Sequence, residues 1–440
     1  MKWPLISDEG GYAYGAQWWF QGLTLYSDQL WFDRPQGIFL VYKLGMALFG
    51  TQTWAIRLWG TIWAMGTGVF LYRITERLTN HRYATIASII YTFFSTMPQI
   101  EGFTSNAEVF ALLPATASAY FLLREKYSIA GLFVSMAFLL KPSGGSIVFL
   151  GIIWLIFNKT SWKNIFQFLI FSISLIILAC IHGSISVGIS KYWTTIAGYR
   201  LNLHGYPTIN VISNFYKTSI VWLPLLILSI IGYKDIEFKK KVFLFSWFIS
   251  SFLGMAIGKN WEYHYFIQII PPLAFGSSIG LLSIWNTKNH LVKLPIFSLL
   301  LFSLAFFSFF IFIKPDTGAW ILFHRPGYQK AHEITQYIKN HTKPEEIIYV
   351  AFFEAEYYFL SNRRSAVPYL YRLQVLYYPG AYEEIISAIY HGIPAYVVAL
   401  DPPVTSIDPE NRFEKVLINS YNIETYIEGV PIYKRKVDPH

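Results

Sequence analysis

Cysteine is almost missing: the 440 residues contain one, Cys180, and it lies inside an apolar run. A single thiol can form neither an intrachain disulfide nor a multi-cysteine metal site. Charge is scarce as well. Asp, Glu, Lys and Arg together make 14% of the chain, where ordinary globular proteins carry roughly 25%. A chain this poor in charge is neither disordered nor a soluble multi-domain enzyme in its main architecture. No dense basic face appears, which argues against nucleic acid as a partner. What is present is oil: 54% of residues are hydrophobic and 19% aromatic. The class that fits is a polytopic α-helical membrane protein.

A hydrocarbon core about 30 Å thick needs ~20 apolar residues per helix. Apolar runs occur at 56–73, 83–99, 106–123, 128–140, 144–158, 164–184, 217–232, 241–257, 265–285 and 293–313, ten candidate spans. Basic residues gather in alternate loops, around Arg73, Arg77 and Arg82, then Arg124 and Lys126, Lys159 and Lys163, Lys239 to Lys241, and Lys288 and Lys293. Loops of that kind face the cytoplasm. The other loops, the N-terminal segment and everything after 314 then lie outside it, in the cell envelope of a plasma-membrane protein. Parity puts Met1 outside too, with no cationic leader before Asp8, so a further helix is expected upstream.

Three regions follow from this pattern. Residues 1–55 form an outer first loop, in which 36–50 is apolar but short and reads as an interfacial or re-entrant helix. Residues 56–314 are the multi-span body. Residues 315–440 carry 12 Lys/Arg and 15 Asp/Glu, against 23 and 11 before them. There EEIIYVAFF, AYVVAL and IEGVPIYKRK read as strands, and 327–341, 381–391 and 410–419 as helices. The expectation is a small extracytoplasmic α/β domain. It contains neither GxGxxG nor GxxxxGK-S/T, so no nucleotide fingerprint.

No carboxylate falls in the middle of an expected span. Ion-coupled transporters commonly keep ionisable groups there, so chemistry at the outer boundary is favoured over transport. Three constellations could perform it. Asp8-Glu9 opens the first loop and can supply a general base, with its neighbour holding the geometry. The same pair also suits an ordinary helix N-terminus. Arg34, in FDRPQG, suits bidentate phosphate binding, or equally a snorkelling arginine paired with Asp33. His264, in KNWEYHYF, suits a metal or proton, or a place in an interfacial aromatic belt. Asn106, Glu108, Lys141, Lys259, Arg200 and Tyr206 are further polar candidates on the same side.

Taken in order, these segments resemble the glycosyltransferase C (GT-C) superfamily. The similar branch holds the dolichyl-phosphate-mannose protein mannosyltransferase-like and aminoarabinose transferase-like enzymes. DEGGYAYGAQ through FDRPQG looks like that branch's first outer loop, TQTWAIRL like its Ala-x-Arg-Leu segment, and TSNAEVFALLP, LKPSGG and EYHYFIQIIPPLA like later motifs. The resemblance implies an inverting transferase moving a sugar from a polyprenyl-phosphate donor to a glycan, lipid or protein acceptor outside the cytoplasm. Asp8 then matches the catalytic base, with Glu9 beside it. Arg34 matches the residue that holds the lipid phosphate, with Tyr12, Lys141, Lys259 and Arg200 as further donor contacts. Asn106, Glu108 and Tyr206 fall to the acceptor or sugar pocket. Asp33 and His264 match positions that approach each other, and sometimes a divalent cation, in relatives. Two departures stand out. Gln36 replaces a proline, and Gly11 stands where aminoarabinose transferases carry an arginine, removing one phosphate contact. The competing reading is a lipid or glycan transporter using the same outer cavity without sugar transfer.

Overall fold

The computed structural model describes residues 5–198, 208–234, 236–286, 327–352, 354–401 and 407–436, with a few positions between 294 and 309. Two helices precede the bundle: α1 (Ser7–Phe20) and α2 (Gln36–Phe49). The body then runs α3 (Thr53–Leu78), α4 (His81–Ser95), α5 (Ala107–Leu123), α6 (Tyr127–Leu140), α7 (Val148–Phe157), α8 (Trp162–Val187), the short α9 (Ile189–Trp193), α10 (Thr208–Tyr233), α11 (Phe238–Ile257) and α12 (Ile270–Asn286). Each expected span from 56–73 to 265–285 has its helix; about half of the tenth, 293–313, lies outside the described residues, and 301–306 within it are helical. Trp162–Val187, Thr208–Tyr233, Phe238–Ile257 and Tyr263–Asn286 are long and apolar enough to cross a membrane unaided.

Local chemistry sets the helix ends. Asn80 caps α4 by accepting from Arg82 N–H at 3.0 Å, and Asn106 caps α5 by accepting from Ala107 N–H at 2.7 Å. Between α6 and α7 the Lys141-Pro142-Ser143-Gly144-Gly145 break forms a turn of 3-10 helix, Pro142–Ile147. That break separates two short apolar helices, with Lys141 at the turn between them. Helix α8 exposes Ile170, Ile173, Ile177, Leu178 and Ile181, the face a lipid-contacting helix presents. Helix α2 exposes Leu40, Leu44 and Leu48 while burying Ile38, Phe39 and Tyr42. The four-residue spacing makes the exposed leucines one stripe, as an interfacial helix requires.

The C-terminal region folds around a sheet. In chain order it holds α13 (Gly327–His341), β1 (Ile347–Val350), α14 (Glu356–Ser361), β2 (Arg364–Ser365), α15 (Arg372–Tyr377), α16 (Ala381–Tyr390), β3 (Tyr396–Val398), α17 (Arg412–Ser420), β4 (Tyr421–Ile427) and β5 (Val430–Arg435). Strand order is β2-β1-β3-β5-β4. The first three strands are parallel, and β5 runs antiparallel to β3 and β4. One expectation is corrected here. IEGVPIYKRK is not a single strand: it breaks at Glu428-Gly429, both at positive φ (51° and 76°), the geometry of a two-residue hairpin turn. Ile427 therefore closes β4 and Val430 opens β5.

This domain docks on α1. A single buried apolar cluster joins Tyr12, Phe32, Phe39 and Tyr42 to Tyr358, Val398 and Ile432. Ser7 Oγ accepts from Ala355 N–H at 3.0 Å, and Tyr14 Oη accepts from Ser365 N–H at 3.1 Å. Gly10 makes the approach possible, because a Cβ there would lie 2.2 Å from the Cα of Glu356. Burial, and then the neighbouring Glu354 charge, push the Glu356 carboxyl well above the usual range. Gly10→Ala is expected to destabilise the protein by about 1–3 kcal/mol through overpacking against backbone, read as an earlier unfolding midpoint in denaturant.

Candidate active site

The first turn of α1 carries Asp8 and Glu9, adjacent in sequence but about 100° apart around the helix, and they meet different surroundings. Glu9 is fully buried. Its carboxylate takes Arg57 Nε at 2.6 Å and Arg57 Nη2 at 2.7 Å, a fork-to-fork pair. It also accepts from Ile6 N–H at 2.9 Å and Ser105 N–H at 2.6 Å. Four donors leave no lone pair for substrate. Glu9 ties α1 to the start of α3 and to the segment before α5, so its part is to hold geometry.

Asp8 is half-exposed and makes no hydrogen bond or ion pair among the described residues. It is close enough to add to the raised proton affinity of the Tyr12 hydroxyl, where burial is the larger cause. One turn on from Asp8, Tyr12 is buried with its hydroxyl toward the Arg34 guanidinium, its ring edge-on to Tyr42 at 5.6 Å. Arg34 completes this group. Its backbone carbonyl accepts from Tyr26 Oη at 2.9 Å, and its Nη1 lies 2.9 Å from Asp33. Burial opposes the Arg34 charge, and Asp33, then Tyr12 and Asp8, more than restore it. Its Nε is buried without a partner among the described residues, so one edge of the guanidinium is unused.

A second string of charges lies alongside. Lys141 Nζ stands 2.6 Å from Glu108 and 4.9 Å from the centre of the Tyr265 ring. His264 Nδ1 pairs with Glu101 at 2.9 Å, and its Nε2 lies 3.7 Å from Glu108. Lys141 also acts electrostatically on Tyr12, so the two strings form one polar layer. Asn106 sits beneath it, fully buried, its oxygen spent on the α5 cap and its Nδ2 unpartnered.

The structure thus brings together Asp8, Tyr12, Arg34, Asp33, Lys141, Glu108 and His264. Asp33 and His264, the expected metal pair, each have an ionic partner. Asp33 is engaged by Arg34 and His264 by Glu101 and Glu108, and the described residues contain no group of three metal-type ligands. Lys259 is exposed on a left-handed turn (φ 58°) and takes no part in these ion pairs. Arg200 and Tyr206 lie outside the described residues. Gln36, which replaces the proline, is buried and donates to Ala179 carbonyl oxygen at 2.8 Å, anchoring the first loop to α8. A separate cleft of about 700 Å³, lined by Gln17, Lys43, Gln336 and Lys339 among others, opens beyond the far end of α1. Nine residues separate Gln17 from Asp8, half a turn away around the helix, so the cleft is not part of this layer.

Three residues escaped sequence reasoning. Arg57 was visible in TQTWAIRL but had no assigned partner. Glu101 was one outer carboxylate among several. Tyr371 lies in the C-terminal domain, from which no site residue was expected, yet its hydroxyl reaches Gly11 beside Asp8 and Tyr12.

This geometry has relatives. A family model described as dolichyl-phosphate-mannose-protein mannosyltransferase matches residues 33–183, a stretch that begins at Asp33 and includes Arg34, Arg57, Glu108 and Lys141. The structure of ArnT from Cupriavidus metallidurans bound to undecaprenyl phosphate superposes with a TM-score of 0.64 at 13% identity, covering 100% of this chain and 95% of that one. The chain shares the fold of that structure. The same Cupriavidus protein in its apo state gives a TM-score of 0.66 at 12% identity, covering 98% and 94%. A likeness of lower coverage links it to the Archaeoglobus fulgidus oligosaccharyltransferase in the apo form, with a TM-score of 0.53 at 10% identity over 99% of this chain and 71% of that chain. In sequence, an uncharacterised protein of Aquifex aeolicus (strain VF5) is 22% identical over 298 residues, 64% of this chain and 67% of its own length. Likeness to these membrane proteins and the long apolar helices agree on an integral multi-pass membrane protein.

Proposed function

We propose that the protein is an inverting glycosyltransferase that moves a sugar from a polyprenyl-phosphate donor to a hydroxyl acceptor on the extracytoplasmic side of the membrane. The observation that carries this reading is the contrast within the first turn of α1. Glu9 is saturated by donors, while Asp8 is half-exposed without a hydrogen bond, near an arginine with an unused edge. The ArnT structure with undecaprenyl phosphate supports the choice of ligand, and the basic loops at the opposite end of the bundle support the sidedness.

The roles follow from charge. Asp8, as general base, takes the proton of the acceptor hydroxyl when the two lie within ~3 Å. The acceptor oxygen bonds to the anomeric carbon from the face opposite the phosphate. The carbon–oxygen bond to phosphate breaks, and the lipid phosphate leaves with the electron pair. Arg34 stabilises the charge that grows on that leaving group, fixed in advance by Asp33 and by the Tyr26 contact to its backbone. Lys141, held by Glu108, adds positive potential from the other side. Asn106 Nδ2 and Glu108 border the space in which the sugar would sit. The polyprenyl chain accounts for the position of the layer, since a lipid donor presents its phosphate at the membrane edge.

Native mass spectrometry of the purified full chain tests the ligand. The expected outcome is a bound polyprenyl phosphate, retained by wild type and reduced about tenfold or more in Arg34→Ala, in line with loss of a charge-assisted contact. Equal retention by Arg34→Ala would remove Arg34 from the donor site.

A further inference from the structure

The C-terminal domain reaches into the charged layer through one side chain. Tyr371 precedes α15, and its backbone N–H and that of Leu370 both donate to the Gln374 side-chain oxygen, at 3.1 and 2.8 Å. Trp31 of the first loop packs edge-on against Tyr378 with ring centres 5.1 Å apart, and against Tyr369 at 6.2 Å. These contacts fix the segment on the first loop and carry the Tyr371 ring over Gly11. A Cβ built on Gly11 would lie 1.7 Å from Tyr371 Oη. The hydroxyl therefore occupies the volume where any side chain at position 11 would begin.

That hydroxyl is buried and has no hydrogen-bond partner among the described residues. Buried polar groups are overwhelmingly satisfied by something. The charges it feels are those of Asp8, Arg34 and Asp33, together with the Tyr12 hydroxyl, the same groups assigned above to the reacting centre. The Tyr371 and Tyr12 hydroxyls and the Arg34 Nε thus share one region, all buried and all able to donate, and among the described residues neither the Tyr371 hydroxyl nor the Arg34 Nε has a hydrogen-bond partner.

We propose that Tyr371 is a donor-binding residue, its hydroxyl donating a hydrogen bond to the phosphate of the polyprenyl-phosphate sugar from the place that Gly11 leaves open. The inference rests on the glycosyltransferase reading and deepens it by making the C-terminal domain part of the donor site. Burial, with Asp8 adding to it, holds the Tyr371 hydroxyl well above its usual range. It remains protonated and acts only as a donor toward the phosphate. A neutral hydroxyl supplies direction without adding a second cation, so Arg34 and Lys141 carry the charge. Docking of the domain through Gly10 and Gly11 is then a condition for donor binding as well as for stability.

Binding of decaprenyl phosphate to the full chain in detergent, with decaprenol as the phosphate-free control, tests this. Tyr371→Phe is expected to weaken decaprenyl phosphate binding about tenfold, as for a lost hydrogen bond to a charged group, and to leave decaprenol binding unchanged. Gly11→Ala, which displaces the hydroxyl from the other side, is expected to weaken phosphate binding similarly. It serves as the second variant should Tyr371→Phe fold poorly. Full retention of the wild-type preference for phosphate by either variant overturns the inference alone. A wild-type protein with no preference for phosphate over decaprenol overturns the donor reading, and this inference with it.

Discussion

Replacing Asp8 with asparagine is expected to lower sugar transfer by about 10²–10⁴-fold, the usual contribution of a positioned general base, with little change in binding of polyprenyl phosphate. The two readouts separate because asparagine keeps the shape and removes the proton acceptor. The expectation depends on Asp8 being unengaged in a layer where Asp33, Glu9, Glu101 and Glu108 each already have a counter-charge. Steady-state kinetics with saturating donor measure it: kcat falls while KM for the donor stays near wild type. A variant that transfers sugar at the wild-type rate would falsify the role of Asp8 as base.

The second large effect belongs to Glu9 and Arg57, and it falls on stability. Both side chains are fully buried and their closest atoms are 2.6 Å apart. Removing one partner of such a pair strands a charge in a low-dielectric interior and costs about 3–5 kcal/mol. Arg57→Ala should therefore shift chemical unfolding of the detergent-solubilised chain by that amount. Glu76→Ala makes the comparison. The Arg73–Glu76 pair sits at 3.2 Å with both side chains exposed, and exposed pairs contribute roughly 0–1 kcal/mol. Two ion pairs with an arginine on the same helix should thus differ several-fold in their cost. Loss of activity in Arg57→Ala is expected to follow misplacement of α1 and Asp8, because Glu9 also accepts from Ser105 N–H and so fixes α1 against the bundle.

Much of the fold could be read directly from residue patterns. Apolar runs of 13 or more residues have only one economical solution in lipid, which is why the spans from 56–73 to 265–285 each found a helix. In the C-terminal domain, α13 matches the expected 327–341, and α16 and α17 match 381–391 and 410–419 to within a residue or two. The strands were harder. β2 is two residues long and β4 exposes most of its side chains, so neither has the buried alternation that marks a strand. The hairpin at Glu428-Gly429 was missed because Glu at positive φ is rare outside such turns.

The site was partly readable for a related reason. Asp8 and Arg34 stand in motifs whose order carried the resemblance, and the structure brings them within electrostatic reach of Tyr12. Adjacent residues on a helix point different ways, so the split between Asp8 and Glu9 needed the position of Arg57, 48 residues away. Asp33 and His264 read as a pair by analogy, whereas their ionic partners, Arg34 and Glu101, are set by proximity that the resemblance does not encode. Gly11 read as a lost contact. In three dimensions it is a gap filled from residue 371, a distance of 360 positions that no local pattern encodes.

The fate of the donor itself tests the central claim most directly. Full-length protein reconstituted in vesicles is given a polyprenyl-phosphate sugar labelled separately on phosphate and sugar, with a hydroxyl acceptor on the side of the charged layer. The account predicts that polyprenyl phosphate appears free of sugar and that the sugar becomes bound to the acceptor with the opposite anomeric configuration. It also predicts that both events are lost together in Asp8→Asn. Donor that crosses the vesicle membrane intact, with both labels still joined and no dependence on Asp8, would contradict it.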